Sequence, residues 1–526
     1  MKTYTSYSTK ETLQSEPIPN KKMVKNSAGG YAFAIDDWKR LERFLILGTE
    51  GNTYYTSERR LTKENADCVL RCIQVDGTRT VNAIVKISEE GKAPKNDPAL
   101  FALAMCAGVG DEKTKKYALE CLPRVARIGT HLFHFAAYAE QFRGWGRGLK
   151  RAIADWYQFK TPNDLAHQVV KYQARDKWSH RDLLRLSHPK TDDATRNSIY
   201  KWVVDAEYIE PVHKFIEGYR LAHTGEIKDK AQHILDYNLT REMLPTEWLT
   251  EKSVWEALLE KMPMTAMIRN LATMTRIGLI APIAKANKKI ITALTDKDII
   301  KKARVHPIAL LSALKTYEQG HGERGQNTWT PISQIVDALN DAFYLSFDTI
   351  ESTEKRWLLA LDVSGSMESG CIAGVPGLTP CIASSAMAMV TARVEKEYHI
   401  MAFSDAFIPL SISPKQRLDD IVKHTSSLDF GRTDCALPMI YALKNKIPVD
   451  VFAVYTDSET WAGEIHPVQA LNKYRREMNI PAKLIVVGCT ATEISIADPN
   501  DAGMMDVVGF STDTPNVMSM FAQDKI

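Results

Sequence analysis

At 526 residues the chain exceeds what one hydrophobic core can organise, so two or more domains are expected. A composition of 44% hydrophobic and 25% charged residues excludes collagen-like, coiled-coil and disordered classes. The net charge of +3 conceals an asymmetry: residues 1–350 carry 52 Lys and Arg against 42 Asp and Glu, whereas residues 351–526 carry 15 against 22.

The first 30 residues form a polar N-terminal segment without an apolar secretory stretch, and no run is long and apolar enough to span a membrane. A soluble, intracellular protein is expected, with the cytoplasm as its compartment and the nucleus left open. The eight cysteines are scattered without a CxxC pair, which reads as reduced thiols and not as a disulfide framework or zinc site.

From about residue 31 to 355 apolar residues recur at helical spacing, as in Trp38, Leu41, Phe44 and Leu45. Proline steps at Asp97-Pro98, Thr161-Pro162, Glu210-Pro211, Leu244-Pro245, Met262-Pro263, His306-Pro307 and Thr330-Pro331 read as helix starts, because proline at the first helical position forfeits no hydrogen bond. So many short helices without strands point to an α-solenoid of the HEAT kind, with an irregular helical array as the alternative.

This region is basic, and one stretch concentrates the cations. Arg143, Arg147, Lys150 and Arg151 lead into a segment holding His167, Lys171, Arg175, His180, Arg181, Arg185, His188 and Lys190, with Tyr172 and Trp178 between them. Cations bind phosphate and flat rings stack on unpaired bases, so these residues are candidate RNA contacts; a solvated helix face is the plain alternative. His180-Arg-Asp-Leu183 and Asp429-Phe-Gly431 imitate kinase motifs, but Ser187 stands where a kinase needs asparagine and no glycine-rich loop precedes them.

The pattern changes near Trp357. Short apolar runs at 357–361, 398–403, 449–454 and 483–487 alternate with helical segments, as in a doubly wound parallel sheet over 356–526. Ligands in such folds bind beyond the carboxyl ends of the strands. Asp362-Val-Ser364-Gly-Ser366 follows the first strand there, Thr433 and Asp457 follow later elements, and their hard oxygens suit a small divalent cation. A phosphoryl-transfer site of the haloacid-dehalogenase kind would want a second carboxylate where Ser364 stands, and no nucleophile–base pair is legible, so no catalytic residues are assigned.

The motifs DVSGSM, GRTD and YTDSE resemble the metal-ion-dependent adhesion site of von Willebrand factor A domains. The resemblance implies Mg²⁺ held by Ser364, Ser366 and Thr433, with Asp362 and Asp457 acting largely through water, and an open position for a partner's carboxylate. A basic helical region followed by such a domain is similar, nearly end to end, to the Ro autoantigen family of TROVE-domain ribonucleoproteins. That likeness implies a closed ring of HEAT-like helices with Y RNAs on its basic outer surface. Single-stranded 3′ ends of misfolded noncoding RNAs would enter its central hole, in RNA quality control. The reading from another class is a metal-dependent protein-interaction scaffold.

Overall fold

The computed structural model describes residues 4–49, 58–205, 208, 210, 212–322, 326–347, 351–372, 375, 377–410, 412–427 and 431–526. Helices fill the first part, from Asp37–Leu47 to Ser333–Leu345. Several begin as the prolines require: Pro98 and Pro162 occupy the first turns of Asp97–Val109 and Pro162–Lys171, and Pro307 opens Pro307–Glu318. Pro263 precedes Met264–Arg276, Pro245 precedes a short 3₁₀ turn and Pro331 lies just ahead of Ser333–Leu345. Pro211 and most of the Asp429-Phe-Gly431 fragment lie outside the described residues.

The helical region closes on itself. Arg304 donates to the carbonyl of Glu89 at 2.8 Å, and His306 Nε2 bonds the carbonyl of Lys92 at 3.0 Å, joining its last third to the end of helix Glu58–Glu90. The amide of Ile308 donates to His306 Nδ1 at 3.1 Å, so the neutral ring serves both neighbours only with its proton on Nε2. Burial pulls the His306 pKa down to about 4. A depressed folded pKa contributes stability at neutral pH that is lost as pH falls from about 6.5 through about 4, up to ~3 kcal/mol. His306→Asn, which can still cap Ile308, should flatten that part of a denaturation-versus-pH profile; an unchanged acid slope would assign the loss elsewhere.

The C-terminal part holds a six-stranded sheet. Strand pairs β1 (Met23–Lys25), β2 (Tyr31–Ala34) and β3 (Ala174–Arg175), β4 (Trp178–Ser179) precede it in the chain; its members are β5 (Arg356–Asp362), β6 (Glu397–Phe403), β7 (Phe407–Pro409), β8 (Val451–Thr456) and β9 (Lys483–Gly488). After the short β10 (Ile494–Ser495), β11 (Met504–Val508) completes it in the order β11-β9-β8-β5-β6-β7. All pairs are parallel except β6–β7. Buried aliphatic and aromatic residues fill β5, β8 and β9 on both faces, the pattern of strands covered by helices on either side. The chain runs from β5 to β6 on one side and to β8 on the other, so the switch point falls between the carboxyl ends of β5 and β8.

Residues 4–34 pack on this domain. β2 pairs with β10, Tyr7 and Ile18 are buried in its core, and Tyr7 donates to Asp498 at 3.0 Å. The domain also touches both ends of the helical region. Near the start, Arg43 and Asn65 bond residues 491–506, and Lys92 pairs with Asp513 at 2.5 Å. Near the end, the amide of Leu418 donates to Asn340 at 3.1 Å and Arg393 lies over Tyr344.

Candidate functional site

Asp362 ends β5 and Asp457 follows β8, so the switch point brings them together as its topology requires. Asp362 Oδ1 accepts from both the amide (2.9 Å) and the hydroxyl (2.6 Å) of Ser364, while Thr456 donates to Oδ2 at 2.6 Å. Ser366 reaches the Ser364 hydroxyl at 3.2 Å, and Asp457 Oδ1 accepts from the Glu459 amide at 3.0 Å. The Thr433 loop is pinned to 460–462, since its carbonyl accepts from the amides of Trp461 and Ala462. All five residues are buried.

Burial, and for Asp362 the neighbouring Asp457, raises both carboxyls above their ordinary range. Neither makes an ion pair among the described residues, although a buried carboxylate is costly without a counter-charge. The hydrogen bonds gather Asp362, Ser364 and Ser366, with Asp457 the neighbouring carboxyl and Thr433 on the adjoining loop; two carboxylates and three hydroxyls are the hard-oxygen donors that suit Mg²⁺. Among the described residues no group of three His, Cys, Asp or Glu side chains could hold a metal, which leaves no rival thiolate or imidazole centre there.

Sequence reasoning did not connect the N-terminal segment with this site. Gln14 donates to Asp434 at 2.7 Å, Asn26 to the carbonyl of Thr460 at 2.7 Å and the Ala28 amide to Glu459 at 3.0 Å. Gly30 passes so close that a Cβ would stand 2.0 Å from the Thr460 carbonyl oxygen, so only glycine fits. Burial, with Asp457 beside it, pushes the Glu459 carboxyl up to about 7. The strap therefore braces the loop that follows Asp457.

The basic stretch is built from four elements, of which helix Pro162–Lys171 carries His167 and Lys171. Helix Arg147–Phe159 buries Leu149, Ala152, Ile153, Trp156 and Tyr157 and leaves Arg147 and Arg151 in solvent. β3 and β4 form a hairpin whose turn places Asp176 and Lys177 in left-handed backbone, held by a short contact from His134 to Asp176. Helix His180–Ser187 starts with a capping box in which Ser179 and Asp182 bond each other reciprocally. Arg175, Arg181, Arg185, His188 and Lys190 are exposed, and Gln158 of helix Arg147–Phe159 donates to the Lys190 carbonyl, just beyond helix His180–Ser187, at 2.6 Å.

Not every expected contact belongs to that face. His180 is 2% exposed and bonds the Tyr157 hydroxyl at 2.8 Å; burial drives its pKa to about 3, making it a neutral core residue and no RNA contact. Its place was legible, since His180, Leu183 and Leu184 share one helical stripe. Arg143 turns inward, donating to the Ala107 carbonyl at 2.7 Å. Lys150 is half-buried. Lys171 is 15% exposed, 3.8 Å from Glu242, and half-buried His167 packs edge-on against Phe215; both line a cleft of about 150 Å³. Phe159, not among the expected contacts, is 70% exposed at the end of its helix beside them. It falls outside the stripe formed by Leu149, Ile153 and Trp156, a signal present in the sequence.

Comparison with known proteins places these sites in a family. The TROVE domain family matches residues 24–233 and 232–316, and the Ro60 vWA domain family matches 356–522. A Deinococcus radiodurans protein named RNA-binding protein RO60 is 42% identical over 513 residues, covering 96% of each chain. One of the same name from Caenorhabditis elegans is 36% identical over 585 residues, covering 96% of this chain and 90% of that one. The crystal structure of the Deinococcus radiodurans RO (RSR) protein superposes with a TM-score of 0.70 at 42% identity, over 93% of this chain and all of that one. With a helical region and an A domain each matched in place, the chain belongs to the Ro60 family of TROVE-domain proteins.

Proposed function

We propose that this chain is an RNA-binding protein without catalytic activity, the core of a small cytoplasmic ribonucleoprotein. The observation that carries the reading is the clustering of exposed Arg147, Arg151, Arg175, Arg181, Arg185 and Lys190 on adjoining helices and a strained hairpin, in a chain whose relatives are named as RNA-binding proteins. The partners are Y RNAs and misfolded small noncoding RNAs with single-stranded 3′ ends. The guanidinium and ammonium groups displace counterions from phosphate, and Phe159 offers its face to an unpaired base.

An electrophoretic-shift titration with a stem bearing a single-stranded 3′ tail tests this at two salt concentrations. Binding should weaken steeply with salt and be poor for a blunt duplex. Phe159→Ala should cost ~1–3 kcal/mol of affinity for the tailed RNA while thermal stability stays near wild type. Salt-insensitive binding, or equal affinity for blunt duplex, would sink the reading.

Within the same proposal Asp362, Ser364, Ser366, Thr433 and Asp457 hold Mg²⁺. The ion supplies an electrophilic position for a carboxylate of a protein partner, and this chain's residues fix the hydroxyls and bury the charge. Mg²⁺ at about a hundredfold excess over its dissociation constant should stabilise the wild type by ~2.7 kcal/mol in thermal melts. Asp457→Asn should abolish that increment, and a melt indifferent to Mg²⁺ would remove the metal from the account. A scaffold role without RNA draws on the same buried carboxylates; it predicts that purified protein carries no RNA while Mg²⁺ still stabilises it.

A further inference from the structure

A single exposed apolar side chain is ordinary on a protein surface, but Ile283 is exceptional in its backbone. It is 99% exposed with φ +64°, the one β-branched residue in left-handed backbone among the described residues. The Ala284 amide donates to the Ala281 carbonyl at 3.0 Å, closing a turn whose central residues are Pro282 and Ile283. Proline fixes the first central φ as negative, so this is a type II turn with isoleucine where glycine or asparagine belongs. Five residues earlier the chain meets the same need at the end of helix Met264–Arg276 with Gly278, φ +75°. The turn is held from below, since Leu279 and Ile280 are buried and Asn287 donates to the Ala281 carbonyl at 2.9 Å. Strain of this kind persists where the surroundings fix the backbone, and it marks places that present a side chain.

The surroundings say to what. Residues 264–304 carry nine Lys and Arg against two Asp. Helix Lys285–Leu294 starts at the knuckle with Lys285, Lys288 and Lys289 on one exposed face, and it has neither an acidic residue in its first turn nor a side-chain cap. Arg276, Lys285 and Lys288 make no ion pair among the described residues. Insertion into a bilayer scales with apolar area, and the knuckle offers one fully exposed side chain, which disfavours a membrane.

We propose that Pro282–Ile283 with Lys285 and Lys288 forms a second RNA contact, separate from the 143–190 face. Ile283 packs on an unpaired base or ribose while the lysines hold the flanking phosphates. The inference rests on the RNA-binding reading and deepens it.

The test uses the full chain, a labelled stem with a single-stranded 3′ tail, and the variants Ile283→Gly, Ile283→Leu and Lys285→Ala/Lys288→Ala. Ile283→Gly should melt at or above the wild-type temperature, because glycine relieves the turn, yet bind the tailed RNA about fivefold more weakly. Ile283→Leu should bind like wild type, and the lysine pair should lose affinity with a shallower salt dependence. Wild-type affinity in Ile283→Gly overturns the knuckle alone, whereas a wild type that binds no RNA overturns the underlying reading. Loss of binding to phosphatidylserine vesicles in Ile283→Gly, with RNA binding intact, assigns the knuckle to a membrane and overturns the proposal.

Discussion

Arg43→Ala should destabilise the protein by ~3–5 kcal/mol, more than any exposed substitution on the same helix. Arg43 rises from helix Asp37–Leu47 into the C-terminal domain and is 1% exposed. It pairs with Asp506 at 2.5 Å and donates to the carbonyls of Thr492 and Ile494 at 3.1 and 2.9 Å. Truncation leaves the Asp506 carboxylate, the buried Ile494 carbonyl and the half-buried Thr492 carbonyl without their donor, which costs far more than the intact pair contributes. Arg43→Lys should not rescue it, since an ammonium cannot reproduce a planar fork that reaches three acceptors. The control is Arg71→Ala, whose pairing with Asp37 is exposed and should cost no more than ~1 kcal/mol. Denaturant unfolding would measure all three; equal effects at Arg43 and Arg71 would show that the inter-domain bond network contributes little.

Removing four guanidinium groups at once should have the largest effect on RNA. In Arg147→Ala/Arg151→Ala/Arg181→Ala/Arg185→Ala each truncated side chain lies in solvent and none supports the core, so stability should change by ~0.5 kcal/mol or less per site. Every phosphate that the variant no longer neutralises should lower the slope of log affinity against log salt by ~0.7–0.9, so four arginines predict a slope shallower by about 3. Titrations at several salt concentrations read that slope directly. A variant with weaker binding but an unchanged slope would mean that these arginines act through shape and not through phosphate, and an unchanged affinity would move the RNA interface elsewhere.

The A domain was the more legible half because its code is local. Buried parallel strands are short apolar runs, and Asp362 and Asp457 stand at the ends of two of them, so position in the run gave position in the site. The helical region was legible in class, through 3.6-residue spacing and proline starts, and less so in detail. Whether a histidine or arginine faces water depends on helix register and on the neighbour across the groove, as His180 against Tyr157 and Arg143 against Ala107 show. The segment 4–34 was least legible. Gln14, Asn26 and Ala28 reach partners more than 400 residues away through polar contacts that leave no periodicity.

That segment has a consequence for the order in which the protein is made. A chain grows from its N-terminus, and its early parts fold while later ones are still being added. Here β2 can complete its sheet only with β10, and Gln14 must meet Asp434 and Ile465, so this segment waits for partners made more than 400 residues after it. The helical region can form its own local contacts during synthesis. Its partners at Arg43 and Lys92 arrive hundreds of residues later as well. Assembly of the strap, and of the loop it braces beside Asp457, is thereby postponed until the C-terminal domain has been made.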